Sequence, residues 1–245
     1  NAINKLTIVT RKRVGIVTGH GELDSLKMAS LQSKLLESCD VARARLDQRL
    51  DAFDVLIIAK PTRLFSEQDR YALDQYVMRG GKLLLMFDRL DASMDSVSRG
   101  NYVAFPYELG LEDQLFHYGV RVNLDLVQDR VALRYPVVTG TVNGKPEIMA
   151  LEWPYFPLIN HYATHAATRN LDASALRFVS SIDTVKAEGI RKTPLLMTSQ
   201  YSRRVAAPVR IDMNELRKEI TPEEFSAGPI AVAYLLEGTF TSVFK

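Results

Sequence analysis

The sequence predicts an α/β fold, a three-layer arrangement in its first part with a largely parallel sheet between helices, followed by a mixed α/β second half. Three observations predict it. Short apolar runs of strand length recur at 14–18, 54–59 and 82–87. Between them lie stretches whose apolar residues repeat at three and four, the period of a helix packed by one face. The connections are short and rich in glycine and proline, and strand–helix alternation with short links implies parallel strands with helices on both faces.

The first strand is Val14-Gly15-Ile16-Val17-Thr18, ended by Gly19-His20-Gly21. A helix is expected next, with Asp24 and Ser25 where an N-cap stands and Leu23, Leu26, Leu31, Leu35 and Leu36 on its buried face. Residues 41–46 predict a weak strand and 54–59 a strong one, stopped by Pro61. Ser66 opens the following helix as its cap, with Asp69 as a shorter replacement for the glutamate of a capping box. Tyr71, Leu73, Tyr76 and Val77 supply that helix with a buried stripe, and Gly80-Gly81 closes it. Residues 82–87 form the third strong strand and end at Asp88.

The second half is less regular. Residues 89–101 are small and polar and predict a loop between the halves, which divides the chain at 1–100 and 101–245. A helix is expected over 108–118, stopped by Gly119, then short strands at 120–122 and 124–127. Trp153-Pro154-Tyr155-Phe156-Pro157 carries too much proline for a regular strand and too many aromatics for a solvated linker, so it predicts an ordered, packed loop. Further strands are expected at 176–180, 194–198 and 230–236.

Composition excludes several classes of function. Over 245 residues, 31 Lys plus Arg stand against 29 Asp plus Glu, and a net charge of +2 gives no electrostatic basis for binding nucleic acid. Cys39 is the single cysteine, so neither an internal disulfide nor a zinc cluster is open to the chain. Gly19-His20-Gly21-Glu22 fails as a dinucleotide fingerprint, because the third glycine position holds Asp24, whose carboxylate would oppose a pyrophosphate. No phosphate-loop pattern occurs, nor any G-x-S-x-G elbow. His161 and His165 are spaced to share a helix face, yet Tyr162 replaces the glutamate that a metalloprotease helix carries.

What remains is the carboxyl edge of the sheet, where ligands of open α/β folds bind. His20 and Glu22 end the first strand, Lys60 and Thr62 the second strong one and Asp88 the third, and these five are the candidate ligand contacts. Trp153, Tyr155 and Phe156 are the candidate partner contacts, because aromatic side chains dominate interfaces as well as cores. No cofactor and no metal are expected.

These pieces occur in a familiar order. Val17 through Glu22, residues 54–58 with Pro61, and Leu73-Asp74-Gln75-Tyr76-Val77 leading to Gly80-Gly81 resemble the auxiliary ABC-transporter domain of the gliding-motility GldG type. Leu115 through Asn123, Asp125-Leu126-Val127-Gln128-Asp129, residues 153–158, Asn170-Leu171-Asp172, Ser180-Ser181-Ile182-Asp183, residues 195–199 and 236–240 continue the resemblance along nearly the whole chain. One departure is Ala166, where the family has proline after the histidine at position 165. The resemblance implies a flavodoxin-like or glutamine-amidotransferase-like sheet in the first half, without the amidotransferase's elbow cysteine. It also implies a non-catalytic, membrane-anchored domain on the periplasmic side of a bacterial inner membrane, working with a separate ABC permease and ATPase. Its ligand would be a small molecule, a glycan or an envelope protein. The chain begins at Asn1 with no signal-peptide pattern and is read as a piece of a longer protein whose membrane segments lie outside these residues. The competing reading is a hydrolase or amidotransferase relative that uses His20, Glu22 and Asp88 in a cleft at the sheet edge.

Overall fold

The computed structural model describes residues 11–97, 101–142, 144–217 and 221–244. They form two units whose chain segments alternate. The first takes the described residues up to Phe87 together with Glu108–Tyr118 and Thr239 onward, and the second takes Asp88–Tyr107 and Gly119–Gly238.

The first unit contains a four-stranded parallel sheet. Its strands are β1 (Lys12–Val17), β2 (Cys39–Ala44), β3 (Val55–Ala59) and β4 (Lys82–Met86), in the order β2-β1-β3-β4. β1 and β3 are the most buried, and Val17, Leu56 and Ile58 are wholly enclosed, which explains their unbroken apolar sequences. Helix α1 (Ala29–Leu36) links β1 to β2, and α2 (Glu67–Met78) links β3 to β4. These two crossovers step in opposite directions along the sheet, so the right-handed rule puts α1 and α2 on opposite faces.

Local signals explain where these helices begin and end. Ser66 and Asp69 form the expected capping box, each side chain answering the other's backbone N–H. At the far end the Gly81 N–H donates to Tyr76 O at 2.9 Å while Gly80 sits at φ +87°, so glycine is needed there. Helix α1 departs from expectation. It starts after a turn in which the Lys27 N–H donates to Asp24 Oδ1 at 2.8 Å, and none of its own residues is buried. Met28 takes the packing role against Ile16 and Ala59, while Leu26 is 86% exposed. The terminal strand β4 differs too. Its alternate residues Lys82, Leu84 and Met86 are exposed, so its apolar sequence is only half used for the core. Cys39 begins β2, two residues after the Glu37 C-cap of α1.

In α2 the buried stripe is Leu73, Asp74 and Tyr76, and Tyr71 is 50% exposed. Asp74 is 0% exposed and anchors two distant segments of the same unit. Its carboxylate accepts from the Tyr118 hydroxyl at 2.8 Å, beyond the short helix α4 (Glu112–His117). It accepts also from the Ser242 hydroxyl at 2.6 Å and the Val243 N–H at 3.2 Å.

The second unit is built from antiparallel pairs. The region expected to be a loop holds the short helix α3 (Met94–Val97), and β5 (Tyr102–Ala104) follows it; residues 98–100 of that expectation lie outside the described residues. Then come β6 (Val120–Val122), β7 (Asp125–Asp129), β8 (Ala132–Val142), β9 (Lys145–Ile159), β10 (His161–Tyr162) and β11 (Ser174–Ala175). β12 (Ile182–Thr184), β13 (Ile190–Met197), β14 (Ser202–Ala206), β15 (Val209–Ile211) and β16 (Ala231–Gly238) complete it. Pairing joins β5 with β15, β6 with β12, β7 with β14, β8 with β9, β9 with β11, and β13 with both β10 and β16. The expected strand at 176–180 is not formed; Phe178 there adopts φ +53°.

Every residue of β7 is buried, and its two end carboxylates are tied by serines. Asp125 accepts from the Ser181 N–H at 2.8 Å and the Ser181 hydroxyl at 2.6 Å. Asp129, 0% exposed, accepts from the Ser199 N–H at 2.7 Å, the Ser199 hydroxyl at 2.6 Å and the Val131 N–H at 2.9 Å. These carboxylates are buried because each has a full set of donors.

The expectation of a loop at Trp153–Pro157 is corrected by β9, which runs straight through it. The ladder of β8 and β9 shifts register between Ala132 and Arg134, opposite this stretch, and on the other side Pro157 O accepts from the Leu176 N–H at 3.0 Å; proline is tolerated in a strand at such an irregularity. Trp153, Tyr155 and Phe156 are 1%, 2% and 0% exposed, and with Phe178 they form the aromatic centre of the unit. Their expected role as partner contacts is corrected accordingly: rings enclosed in a core offer no surface to a partner.

Candidate functional site

The loop after β1 turns on two glycines, Gly19 at φ +135° and Gly21 at φ +74°. A Cβ on Gly21 would lie 2.2 Å from Thr62 Oγ1, so no other residue fits there without displacing the neighbouring loop. That neighbour is the segment after β3. The N–H groups of Thr62 and Arg63 both donate to His20 O, at 2.8 and 2.9 Å, and the Thr62 hydroxyl donates to Gly21 O at 3.2 Å. The two strand ends are thereby held together at the carboxyl edge, as the sequence predicts.

His20 is 8% exposed, and its ring lies flat on Phe65 with centroids 3.9 Å apart. Both ring nitrogens face carboxylates: Nδ1 is 3.3 Å from Glu22 Oε1 and Nε2 is 3.2 Å from Asp69 Oδ2. The other oxygen of Glu22 accepts from the N–H groups of Gly19 at 2.9 Å and His20 at 2.7 Å. Asp69 is also the capping-box residue of α2, so one carboxylate fixes the helix start and the histidine together.

Burial alone would push the His20 pKa down, but hydrogen bonds to the carboxylates of Glu22 and Asp69 outweigh it and the value is raised. For Glu22 burial acts upward, yet the bonds from His20 and from backbone N–H groups bring its pKa down. Asp69 follows the same pattern, with Ser66 and His20 overcoming burial. The signs define a window. A raised histidine stabilises the fold fully below its unfolded value of 6.5, and that contribution is lost as pH rises through the folded value. The lowered carboxylates contribute above unfolded values of 4.5 and 3.8 and lose it as pH falls through their folded values. Replacing His20 with glutamine is therefore expected to cost most stability between pH 4.5 and 6.5 and progressively less on the alkaline side. Melting temperatures of the two proteins across pH check this, and a difference independent of pH would refute it.

The five candidate residues are not alike. His20 and Glu22 meet, but they use their polar atoms on each other, on Asp69 and on their own loop. Thr62 touches the same loop through Gly21 O. Lys60 is exposed at φ +53°, and its N–H donates to Met86 O at 2.6 Å, tying the ends of β3 and β4. Asp88 is the first residue of the second unit. Sequence reading missed the link from His20 to Asp69 and Phe65; the capping box was its only sign, since it fixed where Asp69 sits on α2. The histidines at 161 and 165 do not share a helix, because His161 lies in β10 and His165 in a turn.

The family described as ABC-type uncharacterized transport system matches residues 11–245. The chain belongs to this family. It is an auxiliary component of an ABC-type transport system, and the match runs through the segments of both units. No curated protein matches it. Among solved structures, the mmIFT52 N-terminal domain is similar at a TM-score of 0.53 and 16% identity, over 82% of this chain and 77% of that one. PurLQS from Thermotoga maritima aligns at 0.34 and 13% identity, over 91% and 82% of the two chains. A beta-galactosidase from Bifidobacterium adolescentis aligns at 0.26 and 13%, over 85% and 95%. The first of these is a likeness of fold alone. Within this auxiliary family member, no helix among the described residues is long and apolar enough to cross a membrane.

Proposed function

We propose that this chain is a non-catalytic, extracytoplasmic domain of the GldG type, which serves an ABC permease and ATPase as an accessory or substrate-binding component. The observation that carries the reading is the family match over residues 11–245. The parallel sheet supports the finer fold reading: its order β2-β1-β3-β4 is the order of the first four strands of a flavodoxin-like sheet.

The state of the sheet edge supports the non-catalytic role. A general acid or base must present a proton or lone pair to a substrate. Both nitrogens of His20 face carboxylates, and both oxygens of Glu22 are engaged within the loop. Their arrangement stiffens the turn, as a docking or relay element requires, and leaves bond-breaking to a partner. Anchoring to the membrane would be supplied by segments outside these residues.

Affinity purification of the full-length parent from detergent-solubilised membranes tests the proposal. A permease and an ATPase of the ABC type are expected to co-purify with it. Recovery of the protein with neither subunit would overturn the reading.

A further inference from the structure

We infer that the arm formed by β8 and β9 is a self-association surface, which pairs face to face with the same arm of a second copy of this chain. The arm lies within the second unit. β11 reaches only Leu158 and Ile159 of β9, so from the Arg134–Glu152 pair outward the ladder is a two-stranded ribbon. The inference goes beyond the proposed function and does not rest on it.

Side chains along an antiparallel pair alternate between two faces, and residues directly opposite one another share a face. One face of the ribbon carries Tyr135, Val137 and Leu151, which pack against the unit's aromatic core. The other carries three cross-strand rows in succession: Arg134 with Glu152, Pro136 with Ala150, and Val138 with Ile148. All six residues are exposed. A face left to water is normally polar, yet two of these three rows are wholly apolar, and Val138 and Ile148 are 50% and 63% exposed. Apolar rows bounded by a charged one have the layout of an interface.

The charged row selects the occupant. Arg134 Nη2 stands 3.5 Å from Glu152 Oε1, a long one-point contact between side chains that are 69% and 51% exposed. Such a pair does little for the fold, and each group can reach a second opposite charge. A partner that fits this row must present its charges in exchanged order, a carboxylate over Arg134 and a cation over Glu152. A second copy does so by symmetry. Turned through half a rotation about an axis parallel to the strands, it lays its β8 over β9 and its β9 over β8.

Every row then meets its complement. Arg134 and Glu152 face Glu152 and Arg134 of the second copy in a ring of four alternating charges, Val138 lies over Ile148 and Pro136 over Ala150. The contact is isologous and closes at two copies. A turn about an axis across the strands would instead lay β8 on β8, and would set Arg134 against Arg134 of the second copy or leave it unanswered. The stripe is small beside a standard interface of about 800 Å² per partner, so the association is a weak one.

Analytical ultracentrifugation of the 245-residue chain over a range of concentrations tests the inference. A monomer–dimer equilibrium is expected, with a dissociation constant of ~10–100 μM. Ile148→Asp should weaken it at least about tenfold, because it sets a carboxylate in the apolar centre of the contact. Arg134→Glu and Glu152→Arg should each weaken it about tenfold or more, since each brings like charges together across the contact. Mixed in equal amounts, these two charge variants should associate with each other at least as tightly as the unaltered chain does with itself, one copy then carrying two glutamates and the other two arginines. A merely structural role for the pair predicts no such recovery. All three positions are exposed, so unchanged melting temperatures verify that the variants fold. A chain that stays monomeric up to about 1 mM, association indifferent to Ile148→Asp, or no recovery on mixing the charge variants would each overturn the proposal.

Discussion

Replacing Trp153 with alanine is expected to destabilise the second unit by about 3–5 kcal/mol, the cost of deleting a large ring from a closed core. Its ring centroid lies 4.7 Å from Phe156, 5.5 Å from Tyr135 and 5.7 Å from Phe178, so the vacated space is bounded by rigid rings that cannot collapse into it. Trp153→Phe should cost clearly less, for a reason beyond size. The indole N–H of Trp153 is buried with no hydrogen-bond partner among the described residues, so phenylalanine removes an unsatisfied donor along with the extra ring. Urea unfolding followed by circular dichroism gives both values. Trp153 is the single tryptophan, so the fluorescence of the unmodified protein reports on this cluster alone. A loss under about 1 kcal/mol for the alanine variant would contradict the packing described.

Asp129→Ala is expected to have an effect of similar size from a different cause. Removing the carboxylate leaves three donors, the Ser199 N–H, the Ser199 hydroxyl and the Val131 N–H, without their acceptor in a region shut off from water. Each unsatisfied group costs about 1–3 kcal/mol, and partial relaxation brings the sum to about 3–5 kcal/mol. Ser199→Ala removes one donor to Asp129 and the acceptor of the Tyr201 N–H, and should cost less, about 1–2 kcal/mol. A denaturation series of the two variants orders them, and equal losses would show that the carboxylate is not the centre of the cluster.

The first unit was far more legible from sequence than the second. Its central strands β1 and β3 are buried on both faces and read as unbroken apolar runs, and the Ser66 cap and the Gly80-Gly81 stop act within one turn of chain. The second unit is joined by pairs whose members are far apart, such as β5 with β15 and β7 with β14, and local pattern carries no record of such partners. Residues 153–157 were misread because the two prolines were set against a strand, whereas β9 accommodates them beside the register shift between Ala132 and Arg134. Leu26 was assigned to a buried helix face, yet the helix begins later, after the Asp24 turn, and that residue stands in solvent. At the candidate site, His20 and Glu22 were legible as neighbours because only Gly21 separates them. The third member of the group, Asp69, arrives from another helix, and only the fold brings it to the ring.

The interleaving of the two units bears on the order in which the chain can be completed. Asp74 leaves the ribosome well before the residues whose hydroxyls and amide satisfy it, Tyr118, Ser242 and Val243. Until the last stretch emerges, the carboxylate must stay hydrated and that side of α2 cannot close. Within these residues the first unit thus opens before the second and closes after it, and a fragment cut before Thr239 would expose an acid that Ser242 and Val243 otherwise satisfy.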